Sequence, residues 1–192
     1  MAPLTTLHIS DLHRDPSHGM TNQALLDSLE RDRDRYRVDD PAIPDTDVII
    51  VSGDVVHGVS PEANDPVAEL DRQYAEAESF LASLADSFVG GDRERVVVIP
   101  GNHDVSYYHT LQSMTQVTVN SGSVKGRAAA ASHGRRLNTP GSTMRWSWSS
   151  FCFYEITDLV TYNSRLDAFC RFYERFYKGG DPTALSLAMD GG

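Results

Sequence analysis

The chain has 192 residues and a formal charge of −10, from 27 acidic and 17 basic side chains. That length accommodates one domain with a sizeable core, and no apolar run is long enough to span a bilayer. The acidic balance argues against a general affinity for nucleic acid. Cys152 and Cys170 lack metal-type spacing, and the first strand begins too early to leave room for a secretory leader. Both features point to free thiols in a reducing cytoplasm.

In chain order, Leu7-His8-Ile9-Ser10 reads as a strand that leads into Asp11-Leu12-His13. A loop over residues 14–20 follows, holding Pro16 and Gly19. Thr21 or Asn22 can cap a helix with Leu25, Leu26, Leu29 and Tyr36 on one side; its alternating charges from Glu30 to Arg37 form a solvated face. The second strand, Asp47-Val48-Ile49-Ile50-Val51-Ser52, ends at Gly53-Asp54. Asp65-Pro66 then supplies a cap followed by proline at the first helical position. Val67, Leu70, Tyr74, Ala77, Leu81, Leu84 and Phe88 follow at three- and four-residue steps, and Gly90-Gly91 ends that helix. The third strand, Val96-Val97-Val98-Ile99, turns at once into Pro100-Gly101-Asn102-His103-Asp104.

Runs so rich in β-branched residues read as parallel strands buried on both faces. The order strand, helix, strand, helix, strand predicts an α/β fold with a parallel-strand βαβαβ layer. Parallel strands put their carboxyl ends on one edge of the sheet, where open α/β sheets bind ligands. Asp11, His13, Asp54, Asn102 and His103, far apart in sequence, therefore converge in space. Carboxylates, imidazoles and an amide gathered at one edge fit a site that collects donors around a metal or a phosphate.

Asp11-x-His13, Gly53-Asp54 and Gly101-Asn102-His103-Asp104 together resemble the first three motifs of the calcineurin-like metallophosphoesterase superfamily, over about residues 4–110. The resemblance implies half of that superfamily's two-sheet α/β sandwich. It also implies hydrolysis of a phosphoester, most readily a phosphodiester, at two divalent metal ions. Such ions offset the charge of the phosphate, generate hydroxide near neutral pH and hold the departing oxygen. By the same resemblance Asp54 bridges the two ions, Asp11 and His13 bind the first, and Asn102 binds the second. His103 then acts at the leaving group. Asp104 orients the loop or His103, and His57 stands where some relatives carry an acid that supports the histidine. Mixed oxygen and nitrogen ligation suits manganese, iron or zinc better than calcium.

Beyond residue 110 the family pattern fails. No Gly-His-x-His element occurs, and His133 is the only histidine after His109. The expected site is thus incomplete, holding fewer ions than a whole one. It would belong either to a truncated metal-binding fragment or to a module that docks a second chain supplying the missing histidines. Residues 115–143 read as a mobile insertion within a single domain covering 1–192. Between Val105 and Tyr154 there is no Asp or Glu, while Lys125, Arg127, Arg135, Arg136 and Arg145 all fall there. That local charge favours a nucleotide or nucleic acid as substrate. Trp146, Trp148, Phe151 and Phe153 alternate like a strand, and Tyr162, Leu166, Phe169, Phe172 or Tyr173, and Phe176 step like a helix. So aromatic a helix face needs cover, from its own sheet or from a partner chain. His8, His18 and His109 carry no expected role.

Overall fold

The computed structural model describes residues 4–17, 19–119, 122–137 and 139–177. The first elements are β1 (Thr6–Ser10), α1 (Asn22–Asp39), β2 (Val48–Ser52), α2 (Pro66–Val89) and β3 (Val96–Ile99). After them come α3 (Tyr107–Gln112), β4 (Met114–Val117), α4 (Val124–Leu137), β5 (Met144–Ser147), β6 (Cys152–Ile156), α5 (Leu159–Asn163) and α6 (Asp167–Tyr177). Contacts divide the chain into two compact units. One holds the chain up to Ser106 and the segment that starts at Leu166; the other holds Tyr107–Arg165.

In the first unit the strands pair in parallel in the order β1-β2-β3, with Leu7 beside Ile49 and Ile49 beside Val96. The βαβαβ layer expected from the sequence is therefore present. Both crossover helices start as their sequences dictate. Thr21 Oγ1 accepts from Ala24 N at 3.2 Å to cap α1, and Asp65 Oδ1 accepts from Ala68 N at 3.1 Å to cap α2. Gly90, with a φ of 68°, closes α2 in the left-handed region that glycine enters without penalty.

The strands are buried on one face only, which corrects the expectation of a sheet covered on both. Ile49, Val51, Val96 and Val98 are nearly sealed, whereas Val97 and Ile99 on the opposite face are 43% and 49% exposed. The reason is topological. Successive right-handed crossovers in one direction place both helices on the same side of the sheet. The helices touch there: Asn22 Nδ2 donates to Glu76 O, and Arg33 Nη1 donates to Ser87 O. The apolar side chains of the other face owe their β-branching to strand propensity as much as to burial.

The aromatic stripe near the end of the described chain lies on α2. Phe169, Phe172 and Phe176 of α6 are buried, and Phe172 stacks on Tyr74 with ring centroids 5.2 Å apart. Arg171 and Arg175 tie the rim to Asp71 and Glu78. The cover for this face is thus a helix of the same chain, rather than its sheet. The helix also begins later than the aromatic spacing implies, because α5 and a 3₁₀ turn at Ser164–Leu166 precede it.

The second unit contains an antiparallel sheet in the order β4-β6-β5. The single strand expected around Trp146–Phe153 is instead a hairpin. Trp148 and Phe151 sit in its turn, 76% and 72% exposed, and Phe151 takes a left-handed φ of 51°. Within 115–143, where composition gave no regular element, lie most of β4 and the whole of α4. Both cysteines are free, and no described helix is long and apolar enough to cross a membrane. His18 lies outside the described residues.

Since Phe172 is fully buried on α6 against Tyr74 of α2, Phe172→Ala should destabilise the first unit by about 3–5 kcal/mol, the usual effect of emptying an aromatic core position. Urea unfolding followed by tryptophan-independent circular dichroism measures it.

Candidate metal centre

Each of the three parallel strands ends in a turn, and the turns continue the ladder past the strands. Asp11 N donates to Gly53 O, His13 N to Asp54 O and Arg14 N to Val55 O, at 3.3, 2.9 and 2.9 Å. Gly53 N donates to Ile99 O at 2.8 Å. This pairing fixes the spacing of the turns that carry the polar residues. The side chains then aim inward because the backbone is bent at them. Asp11, His13 and Asp54 have φ values of 54°, 46° and 44°, in the region that ordinary residues avoid. Backbone strain of this kind persists only where the surroundings enforce it, and it clusters at functional sites.

The outcome is convergence. Ligand atoms of Asp11, His13 and Asp54 all lie within 4.8 Å of one another. His13 Nδ1 is buried and has no hydrogen-bond partner. Two carboxylates and an imidazole nitrogen with no protein donor form a donor set that fits a divalent cation. Of the sequence-expected ligands, Asn102 is exposed on the neighbouring turn. The next residue's amide, His103 N, donates to Asp54 Oδ1 at 3.0 Å, so the third turn is bound directly to the second.

Two further imidazoles stand beside the cluster. The His13 ring lies 5.1 Å from that of His103 and 5.9 Å from that of His57, between centroids. His103 Nδ1 stands 2.6 Å from the carbonyl oxygen of His57. A carbonyl only accepts, so Nδ1 bears the proton and Nε2 is the nitrogen left for other chemistry. Among the described residues it is therefore the backbone of residue 57, not an acidic side chain, that orients the histidine. His8 bonds Ser52 Oγ at 2.7 Å on the exposed face of the sheet, and His133 lies on α4 beside Phe153 in the second unit.

Asp104 orients the loops. Its carboxylate is fully buried and accepts from Gly101 N, Val55 N and Val56 N at 2.7, 3.0 and 3.1 Å. Tyr74 of α2 donates to Asp104 O at 2.7 Å and approaches Oδ1 at 3.3 Å. Burial raises the pKa of Asp104 from the usual carboxylate range, and the three backbone donors oppose that rise. Burial likewise pushes the Tyr74 hydroxyl well above its ordinary value, keeping it a donor at any physiological pH. Sequence reasoning placed Tyr74 on the apolar stripe of its helix; nothing in the stripe distinguishes a hydroxyl that reaches a loop from a ring that fills a core.

Gly101 is required by close approach. A β-carbon there would lie 2.3 Å from Asp54 Oδ1 and 2.4 Å from Asp54 N. Only hydrogen fits between the second and third turns.

A family model described as calcineurin-like phosphoesterase matches residues 4–178, well past the three motifs that carried the resemblance. No curated protein matches the chain.

Two consequences are measurable. Gly101→Ala should displace Asp54 and abolish metal binding while leaving the α2–α6 core folded, which calorimetric titration and far-ultraviolet circular dichroism together report. Tyr74→Phe removes one buried donor from Asp104 and should lower stability by about 1–3 kcal/mol, read from the urea midpoint.

Proposed function

The chain belongs to the calcineurin-like phosphoesterase family, and on that premise we propose that it hydrolyses phosphodiesters of nucleotides or nucleic acid. Membership makes it a metal-dependent phosphoester hydrolase in the general sense. The observation that best supports hydrolysis at this centre is the convergence of Asp11, His13 and Asp54 beside the ring of His103. Asp11 and His13 would hold one divalent ion, Asp54 would bridge to a second, and Asn102 would offer its amide oxygen to that second ion. Manganese, iron or zinc fits this mixture of oxygen and nitrogen donors. When bound, such ions offset the phosphate charge and activate water.

The protein's own groups then divide the work. Asp54 Oδ1 accepts from the His103 amide at 3.0 Å, which restrains the carboxylate while Oδ2 stays available for a ligand role. The free Nε2 of His103, when protonated, gives its proton to the departing ester oxygen as the phosphorus–oxygen bond breaks. The water oxygen bonds to phosphorus on the side opposite the departing oxygen, and its proton leaves to solvent.

The substrate class rests on charge. Lys125, Arg127, Arg135 and Arg136 lie on α4 in a stretch without acids. Arg136 is bonded to Glu155 and Arg145 to Tyr162, which leaves Lys125, Arg127 and Arg135, among the described residues, as the cations that favour a polyanionic ligand. A second reading, in which another chain supplies further imidazoles, is supported by the lack of any Gly-His-x-His in the sequence.

Manganese titration by calorimetry should resolve one tight site and one weaker or vacant one, because the first site keeps more of its donors. Asp54→Asn should abolish binding at both; unchanged binding would remove Asp54 as the bridge. His103→Ala should lower kcat on an alkyl phosphodiester by about a hundredfold with metal content unchanged, and loss of metal would instead make His103 a ligand. Charge reversal at Lys125 and Arg127 should raise KM for a dinucleotide and leave that for a small uncharged-tail diester unaltered; equal KM values for both would refute the nucleotide preference.

A further inference from the structure

A glutamine lies buried on α2 among apolar neighbours, and the chemistry proposed so far gives it no task. Gln73 is only 2% exposed. Its Oε1 accepts from Gly58 N at 3.0 Å, and its Nε2 donates to Gly58 O at 3.2 Å and to Asp15 Oδ2 at 3.5 Å. Both ends of the carboxamide are thereby assigned: an amide N–H can only donate, and a carbonyl or carboxylate can only accept.

The important partner is Gly58 N. That nitrogen belongs to the same planar peptide unit as the carbonyl of His57. The carbonyl oxygen at the other end of the unit faces His103 Nδ1 at 2.6 Å. A trans peptide is rigid, so gripping its N–H fixes the direction of its C=O. Gly58 adds a second constraint. It has a φ of 84°, and a β-carbon there would come within 2.9 Å of His103 Nδ1. The turn therefore needs a residue without a side chain and an external hold on its peptide plane.

We propose that Gln73 is a positioning residue for His103: by clamping the His57–Gly58 peptide it sets the tautomer and orientation that leave Nε2 facing the substrate. The inference rests on the reading that His103 acts at the leaving group. Gln73 touches neither substrate nor metal ligands and acts through one peptide unit. An aliphatic side chain, which the helical stripe would otherwise admit, could fill the space but could not hold the plane. A free imidazole favours the proton on Nε2, so His103 needs an acceptor fixed beside Nδ1 to keep the opposite form.

The test has two arms. In the metal-free 192-residue chain, long-range proton–nitrogen NMR of the histidine rings at one fixed pH reports the tautomer directly. His103 should be Nδ1-protonated in the parent, and Gln73→Met, which keeps length and removes both polar ends, should shift it toward the Nε2-protonated form. Leu81→Ala, a cavity on the same helix, should leave the tautomer unchanged at a comparable loss of stability. Should Gln73→Met fail to fold, Gly58→Ala perturbs the same turn without changing a residue of α2 and should give the same shift. An unchanged tautomer in either folded variant overturns the inference.

In the metal-loaded chain, kcat is compared on an aryl and an alkyl phosphodiester, since a proton donor matters most for the poorer leaving group. Gln73→Met should lower kcat by about tenfold on the alkyl ester and by less than about twofold on the aryl ester. In a His103→Ala background it should lower neither further, because the two residues act as one unit. Effects that multiply in the double variant would assign Gln73 a merely structural role and overturn the inference. If His103→Ala leaves the alkyl ester unaffected, the leaving-group reading fails instead, and the NMR arm still decides whether Gln73 holds the ring.

Discussion

Asp104 takes a carboxylate out of water and gives it three backbone N–H groups, from Gly101, Val55 and Val56. Ionised groups are costly to bury unless their lone pairs are filled, and here the donors come from the turns after β2 and β3. The turn after β2 buries Val55 and Val56, but the polar residues beside them need a further hold. The carboxylate supplies that hold from beneath. It draws Val55 and Val56 toward Gly101 until only a hydrogen atom fits between Gly101 and Asp54. The positions of Asp54 and His103 follow from this closeness, and Asp11 and His13 are set in turn by the ladder running from Gly53 to Val55.

α2 is the fixed body against which this is built. Adjacent residues of the helix, Gln73 and Tyr74, reach different turns. Gln73 holds Gly58 and Asp15, and Tyr74 holds Asp104. All three strand ends are therefore attached to less than one helical turn. Tyr74 is also stacked on Phe172, so the aromatic face of α6 presses on the ring whose hydroxyl steadies the site. Core packing and site geometry meet in one side chain.

The parallel layer and the cluster were legible in the sequence for a common reason. β-branched runs that end in chemistry-bearing residues signal strand ends, and parallel strands leave no choice about where those ends meet. Asp11, His13 and Asp54 needed no further information to be brought together. What sequence left hidden depends on partners distant along the chain. The tasks of Gln73 and Tyr74 look like ordinary positions on an amphipathic helix until the turns beneath them are placed. His57 drew notice for its imidazole, yet the contact to His103 uses its carbonyl, which every residue possesses. The exposed face of the sheet escaped because Val97 and Ile99 look alike whether a strand is covered once or twice. The hairpin at β5 and β6 escaped because Trp148 and Phe151, apolar but exposed in its turn, extended the strand pattern through it.

The attachment of every turn to two neighbouring residues of one helix also sets how the first unit can come apart. Loops at functional sites commonly open alone, at much lower free energy than the core. Here the turn amides of Val55, Val56, Gly58 and Gly101 are bonded to Asp104 or to Gln73, and Asp104 is itself held by the helix. A fluctuation that frees one turn leaves a buried carboxylate or carboxamide without its partner, which opposes piecemeal opening. The turns of the ligand cluster are thus coupled to one another through α2, so that opening one of them alone is disfavoured.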